Sequence, residues 1–236
     1  ERELPDGTVR AYESVLARRA RGEPIAYITG RKEFWSLALE VGPDVLIPRP
    51  ETELVVERAL THLPPTAHCD VHDVGTGSGA IALALAKERT RARVVATDVS
   101  AAALACAQTN AGSLQLDIEL LAGDLFGPVQ GRRFHVIVSN PPYVAADDPD
   151  LAVEVRQYEP DVALFAADNG LATLRRLVAE APQHLHAEGW LLLEHGWRQA
   201  EPVRALLEQR GFSHVRSHAD LAGHERVTEG QLTAIR

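Results

Sequence analysis

The sequence contains no methionine, only two cysteines and no apolar run approaching the ~18 residues a membrane span needs. A chain that begins at Glu1 and holds no Met is expected to have its native start upstream, with an N-terminal portion missing. Cys69 and Cys106 fall on separate predicted elements, so neither a disulfide framework nor a paired metal spacing follows. Both read as small core residues in a reducing compartment, and a cytoplasmic location is expected. No secretory signal pattern opens the chain. Positive charge is also scarce, with 24 basic residues against 33 acidic and a net charge of −9. A protein that grips nucleic acid usually carries a basic face. Lys and Arg cluster near the start at Arg18-Arg19-Arg21 and Arg31-Lys32, and no longer basic run follows, which weighs against a nucleic-acid substrate. His184 and His186 stand close but lack a third ligand candidate nearby, so no metal site is expected.

What is present suits one large α/β domain with a small appendage: 236 residues, 45% hydrophobic and 24% charged. Residues 134–138 form a short apolar run with two valines and an isoleucine. It reads as a strand buried on both faces, in the middle of a parallel sheet. Ser139-Asn140 ends it, and Pro141-Pro142-Tyr143 follows. The prolines fix their own φ and restrict the residue before each, so the chain leaves the sheet stiff and extended. Asn140 then lies at the carboxyl end of the strand, where open α/β sheets bind ligands. That geometry suits gripping a planar –NH2 group. The Asn140 oxygen accepts one amide hydrogen, a backbone carbonyl held by Pro141 or Pro142 accepts the other, and the Tyr143 ring packs on the flat face. A strand terminator with a capping Asn is the structural alternative.

Upstream, residues 9–21 read as a helix and residues 24–30 as a connector. Residues 33–41 alternate, Gly42-Pro43-Asp44 signals a turn, and Val45-Leu46-Ile47 resumes the apolar pattern, which predicts a β-hairpin. Pro50, Glu51 and Glu53 start a helix running to about residue 63. Arg49 and Glu51 there read equally as a solvated helix start or as ligand contacts. A strand over 69–74 precedes Gly75-Thr76-Gly77-Ser78-Gly79 and a helix over 80–89. Glycines let the backbone approach a ligand, and helix N–H groups offer an anion site. The strand over 93–97 ends in Asp98, where such folds bind ribose hydroxyls. A helix over 101–111, a strand over 117–121 ending near Gly123-Asp124-Leu125-Phe126, and the strand over 134–139 complete a βαβαββ pattern. It predicts a doubly wound sheet. Residues 144–164 read as an acidic, irregular lid or partner-binding loop. Helices over 171–181 and 202–210 and strands over 189–194, 212–217 and 227–235 follow.

Asp73-Val74-Gly75-Thr76-Gly77-Ser78-Gly79, with glycines at alternate positions, resembles the S-adenosylmethionine site of seven-stranded methyltransferases. With Asp98, Asp124 and Asn140-Pro141-Pro142-Tyr143 in order, the resemblance becomes specific to enzymes that methylate planar amino or amide nitrogens. The stretches over 24–30 and 45–53, with Tyr158-Glu159-Pro160 and residues 189–196, resemble the HemK/PrmC family over nearly the whole chain. That resemblance implies an enzyme with a seven-stranded, mostly parallel Rossmann-like sheet. It also implies the remnant of a helical, substrate-docking N-terminal domain over 1–30, a hairpin linker over 31–48 and a methyltransferase domain over 49–236. The implied reaction moves a methyl group from S-adenosyl-L-methionine to the glutamine of the Gly-Gly-Gln motif in class I peptide chain release factors. The coproduct would be S-adenosyl-L-homocysteine, with no metal, no membrane and a monomer. By the same resemblance Gly75, Thr76, Gly77, Ser78 and Gly79 receive the methionine end of the cofactor. Asp98 takes the ribose hydroxyls, Asp124 and the Leu125 backbone meet the adenine, and Arg49, Glu51 and Thr52 close over the methionine carboxylate and amine. Asn140, Pro141, Pro142 and Tyr143 hold the target amide, with Asn140 also beside the cofactor. A ribosomal-protein glutamine methyltransferase, a nucleic-acid amino-group methyltransferase and a cofactor-binding protein without catalysis remain as alternatives.

Overall fold

The computed structural model describes residues 6–233. Helices α1 (Asp6–Ala20) and α2 (Ile25–Thr29) precede a hairpin of β1 (Arg31–Phe34) and β2 (Leu37–Glu40). A 3-10 turn (Pro50–Thr52) leads into α3 (Glu53–His62), then β3 (Asp70–Val74), α4 (Ala80–Glu88), β4 (Arg93–Asp98) and α5 (Ala101–Leu114). Next come β5 (Glu119–Ala122), β6 (Phe134–Ser139), α6 (Val153–Tyr158), α7 (Asp161–Leu164) and α8 (Ala172–Glu180). The chain closes with β7 (Leu185–Glu194), α9 (Ala200–Gln209), β8 (Phe212–Ala219) and β9 (Glu225–Leu232). No helix among the described residues is long and apolar enough to cross a membrane.

Seven strands form one sheet in the order β5-β4-β3-β6-β7-β9-β8, and β9 alone runs against its neighbours. The mostly parallel, doubly wound expectation holds, and β6 occupies the centre of the sheet. From Val136 on, alternate residues feed the two faces: Val136 and Val138 join one apolar cluster with α3 and α4, while Ile137 joins another with α8 and α9; Phe134, before an irregularity in the strand pairing, joins the second cluster too. Helix α4 is buried from Ala80 to Ala86 because the hairpin residues Phe34, Leu37 and Leu39 cover the side α3 leaves open. After β3 the chain winds outward through β4 and β5, then returns to place β6 on the other side of β3. The crevice at that reversal, outside the carboxyl ends of β3 and β6, is where open α/β sheets bind ligands.

Several local expectations need correction. The hairpin turns at Trp35-Ser36, with φ of 51° and 53°, and not at Gly42-Pro43-Asp44. Two positive φ values make the two-residue turn whose twist matches the strands. Val45 and Ile47 are buried but form no strand; they pack with Tyr27 and Ala103. Residues 24–30 are a short helix, α2, opened by Pro24 at φ −59° and closed by Gly30 at φ 71°. Residues 144–164 are not wholly irregular, since they contain α6 and α7. Their ends are tied by Val144, which pairs with Phe165. Strand β7 starts at Leu185, earlier than its most apolar part. The expected continuation of the last strand to Ile235 lies outside the described residues.

Candidate active site

A cavity of about 330 Å³ opens at the carboxyl ends of β3, β4 and β6. Gly75, Thr76, Gly77 and Ser78 form one wall, Asp98 and Leu125 another, and Asn140, Pro141 and Pro142 a third. Gly75, Gly77 and Gly79 all have positive φ, at 74°, 57° and 84°. A Cβ at Gly75 or Gly77 would meet nothing within 4 Å, whereas one at Gly79 would sit 3.0 Å from Leu83. The first two glycines therefore keep backbone open to the cavity, and the third lets α4 pack close to its own turn.

The turn is held from beneath. Gly75 and Thr76 donate their N–H groups to the Thr97 carbonyl at 2.8 and 3.0 Å. Asp73, fully buried, accepts from the Thr76 hydroxyl at 2.7 Å and from Ala82 N–H at 3.2 Å. Burial pushes the Asp73 carboxyl up to about 7, against the lowering effect of those two bonds. Asn110, a buried residue of α5, donates to the Ser78 carbonyl at 2.9 Å and exchanges bonds with both backbone groups of Glu40. One side chain thus ties the glycine turn to the hairpin edge, a role its position mid-helix does not advertise.

Asp98 sits on the cavity wall with Oδ2 accepting from Gly77 N–H and Oδ1 from Ser100 N–H, each at 2.9 Å. Asp124 lines the cavity, and its carboxylate is paired with Arg176 of α8 at 2.6 Å. Arg176 is itself a lining residue that local sequence patterning does not single out. Leu125 also lines the cavity, at φ 44°. Thr52 lines it too. Arg49 and Glu51 do not: Arg49 forms an ion pair with buried Glu159, which also accepts Ile47 N–H at 3.1 Å, and Glu51 is exposed. Val162 and Ala163, from the segment read as a lid, and Phe165 just after it form a further wall.

Asn140 is half-buried and donates from Nδ2 to Thr52 Oγ1 at 3.1 Å. Tyr143 is outside the cavity lining; its ring packs against the α8–α9 face and its hydroxyl donates to Glu194 Oε1 at 3.1 Å. Burial, then the Glu194 charge, pushes the Tyr143 phenol well above its ordinary value. Gly170 lies against the Tyr143 carbonyl so closely that a Cβ would fall 2.0 Å from the oxygen.

The histidines differ from expectation. His184 is buried and stacks on Phe126 at 4.7 Å, away from His186. His186 instead joins Asp70 and His135, whose ligand-type atoms all lie within 4.8 Å of one another. These are third-ligand candidates that sequence proximity misses, because three different strands bring them together at the far ends of β3, β6 and β7. His135 Nδ1 already accepts Asp70 N–H at 3.0 Å, so that lone pair is engaged.

Residues 54–157 match the Methyltransferase small domain family, and residues 1–30 match the PrmC N-terminal domain family. A release factor glutamine methyltransferase of Yersinia pestis is 50% identical over 220 residues, covering 93% of this chain and 79% of that protein. The chain belongs to the release factor glutamine methyltransferase family. It is accordingly an enzyme of the methyltransferase class. The family member from Pseudomonas aeruginosa is 49% identical over 232 residues, covering 98% of this chain and 84% of its own. A solved release factor-specific protein-(glutamine-N5) methyltransferase of Alicyclobacillus acidocaldarius superposes with a TM-score of 0.51 at 34% identity, over 83% of this chain and all of that one. A 16S rRNA N2 G1207 methyltransferase of T. thermophilus, solved with AdoMet and guanosine, shares the fold at a TM-score of 0.63 and 21% identity. That likeness covers 86% of this chain and 49% of the rRNA enzyme.

Proposed function

We propose that this chain transfers a methyl group from S-adenosyl-L-methionine to the side-chain amide nitrogen of glutamine in the Gly-Gly-Gln motif of class I peptide chain release factors. The observation that carries this reading is the juxtaposition across the crevice. The open glycine turn after β3 faces Asn140-Pro141-Pro142 after β6 in one cavity. The cavity fits the cofactor. Bare backbone at Gly75 and Gly77 leaves room where any side chain would intrude, and Asp98 offers a carboxylate already aimed by two N–H groups.

When bound, S-adenosyl-L-methionine supplies a methyl group activated on a sulfonium. The chain's residues do the rest. Asp98 accepts hydrogen bonds from the ribose hydroxyls on lone pairs that Gly77 and Ser100 leave over. The Leu125 backbone and Asp124, with its Arg176 partner, bound the adenine end. Thr52 is the member of the 3-10 turn that reaches the cavity, and Arg49 acts at one remove by holding Glu159 and the Ile47 backbone.

An amide nitrogen is a poor nucleophile because its lone pair is delocalised, and no residue in the cavity is basic enough to remove its proton beforehand. The Asn140 oxygen and a backbone carbonyl held by Pro141 or Pro142 instead accept the two amide hydrogens. Positive charge grows on that nitrogen during transfer, so both acceptors bind the transition state more strongly than the ground state. Alignment at attack distance contributes several kcal/mol, up to roughly 7–11 in favourable cases.

Residues 1–30 are assigned to release-factor docking. Arg19 of α1 pairs with Glu154 of α6 at 3.1 Å, and Tyr158 of α6 donates to the Arg21 carbonyl just after α1 at 3.0 Å, so this region is fixed against the segment that lines the cavity. With a translation factor as substrate the enzyme works in the cytoplasm, as a monomer, and the net charge of −9 disfavours direct nucleic-acid binding. The test is incubation with methyl-labelled cofactor and a release factor. Label on the Gly-Gly-Gln glutamine supports the reading; label only on another protein or on RNA rejects it.

A further inference from the structure

Behind Asn140 lies a polar cluster that the transfer chemistry above does not use. Glu194, at the end of β7, is 1% exposed, and Thr52 is 4% exposed. A buried carboxyl is costly unless hydrogen bonds satisfy it. Tyr143 satisfies Oε1, but Oε2 has no partner at ordinary hydrogen-bond geometry among the described residues. Thr52 is the other hydroxyl that bears on this carboxyl, and it favours the ionised form. Thr52 Oγ1 receives Asn140 Nδ2–H, so its own proton is left for another acceptor, and Glu194 Oε2 is a buried acceptor left without a donor.

We propose that Glu194 is a positioning residue that acts through Thr52 to decide which end of the Asn140 amide faces the cavity. This rests on the reading of Asn140 as the acceptor for the target amide. A hydroxyl has one proton. With that proton directed at Glu194, Thr52 presents only lone pairs to Asn140, and only the NH2 end of the amide can meet them. The observed bond has that polarity, Nδ2 donating to Oγ1 at 3.1 Å. A reversed amide would set oxygen against oxygen and turn an NH2 group toward the substrate's own NH2. The relay thus leaves Oδ1 for the cavity. A chain of bonds running from carboxylate to hydroxyl to amide polarises each member and makes Oδ1 a stronger acceptor. Through the Tyr143 hydroxyl the same carboxyl also holds the far end of the Asn-Pro-Pro-Tyr turn.

The relay depends on charge. Burial pushes the Glu194 carboxyl up to about 7; Thr52, Tyr143 and Arg226 of β9 act against this, and Glu51 adds to it. Arg49 bears on the Tyr143 end. A protonated Glu194 donates to Thr52 instead, which frees the Thr52 proton and permits the reversed amide.

The test uses Thr52→Val, Thr52→Ser, Glu194→Gln, the Thr52→Val/Glu194→Gln pair and Asn140→Ala, each assayed for kcat, for KM toward release factor and for cofactor affinity. Loss of one oriented hydrogen bond lowers kcat about tenfold, so Thr52→Val falls by that factor with KM little changed, and Thr52→Ser restores it. The parent loses kcat on the acid side of about 7, and Glu194→Gln, which cannot titrate, loses that limb. The double variant is no slower than Thr52→Val alone, because the two residues act in series. If Thr52→Val and Thr52→Ser behave alike, the acid limb survives in Glu194→Gln, or the two losses multiply, the relay is wrong. Should these variants match the parent while Asn140→Ala is inactive, the relay alone fails. Parental turnover by Asn140→Ala removes the acceptor reading and the relay with it.

Discussion

Gly77 N–H donates to Asp98 Oδ2 at 2.9 Å, so the glycine turn and the acid proposed to bind the ribose are one unit. Asp98 therefore has two duties, and its replacement removes both. Asp98→Ala is expected to weaken cofactor binding strongly, since hydrogen bonds to a charged group are worth roughly 1.5–3 kcal/mol each. Asp98→Asn is expected to do little better. Its NH2 must face either Gly77 N–H or Ser100 N–H, donor against donor. Calorimetric titration of both variants checks this; an Asn variant that binds like the parent would show that the backbone bonds do not orient the carboxylate.

Two glycines of similar φ should respond differently to alanine. Gly75 at 74° and Gly170 at 84° both incur the left-handed penalty, roughly 1–2 kcal/mol. At Gly75 the added methyl meets nothing, so the fold survives and the cofactor loses its close approach. At Gly170 the methyl falls on the Tyr143 carbonyl and 2.7 Å from Gln199 Nε2, which itself donates to that carbonyl. Thermal melts with and without cofactor separate the cases. Gly75→Ala should melt near the parent but gain little from added cofactor, and Gly170→Ala should melt far lower. Equal melting temperatures would contradict the packing argument.

How far the sequence could be read follows from the range of the forces involved. Residues 134–139 were legible to the residue because a strand covered on both faces is a continuous apolar run with prolines after it. The glycine turn and Asp98 were legible because local backbone geometry and strand ends impose their own spacing. Trp35-Ser36 was not, since neither residue favours positive φ and the hairpin packs onto α4 from a distance. Arg176, Glu159 and Glu194 reach the site or its supports across long separations, through pairings that no local period encodes. The sequence predicts the Tyr143 ring on the flat face of the target amide; the residue lies outside the cavity lining and its hydroxyl meets Glu194, a contact set by how β6 and β7 lie side by side.

His72 should make the fold acid-sensitive. It is buried in the centre of β3, stacked on Phe134, and Nε2 meets the Thr97 hydroxyl at 3.0 Å. Burial, followed by the His184 and Arg132 charges, drives its pKa down from 6.5 to about 3. Between those values the unfolded chain binds a proton that the folded chain refuses. The contribution is thus fully present above the unfolded pKa and is lost as pH falls below it, at about 1.4 kcal/mol per pH unit. Asp73 and Glu194, raised to about 7, slope the other way, so total stability conceals the effect. His72→Leu isolates it. From pH 7.5 to 5.0, urea denaturation should show the variant gaining about 2 kcal/mol relative to the parent. A difference that does not change with pH would mean that His72 is protonated in the fold.

Asn140→Ala should abolish transfer while leaving the cofactor bound. Asn140 lines the cavity with Nδ2 engaged by Thr52, and its Oδ1 is the side-chain acceptor proposed for the target amide. Removing one donor or acceptor aimed at a transition-state charge typically costs ~2.7–4 kcal/mol, a hundred- to a thousand-fold in kcat. The backbone carbonyl at Pro141 or Pro142 remains, so the residual rate reports what one acceptor does alone. Asn140→Asp keeps an acceptor but has no NH2 for Thr52, and it adds a negative charge beside the sulfonium. The Thr52 hydroxyl must then divide its single proton between two carboxyls, Asp at 140 and Glu194. Activity between that of Ala and that of the parent is expected, with cofactor affinity maintained or raised by the added charge. The comparison to make is kcat at saturating cofactor for both variants, beside cofactor affinity by calorimetry. Near-parental turnover by Asn140→Ala would reduce the motif to a strand terminator. Activity of Asn140→Asp below that of Asn140→Ala would mean that the charge at this position harms transfer more than the acceptor helps it.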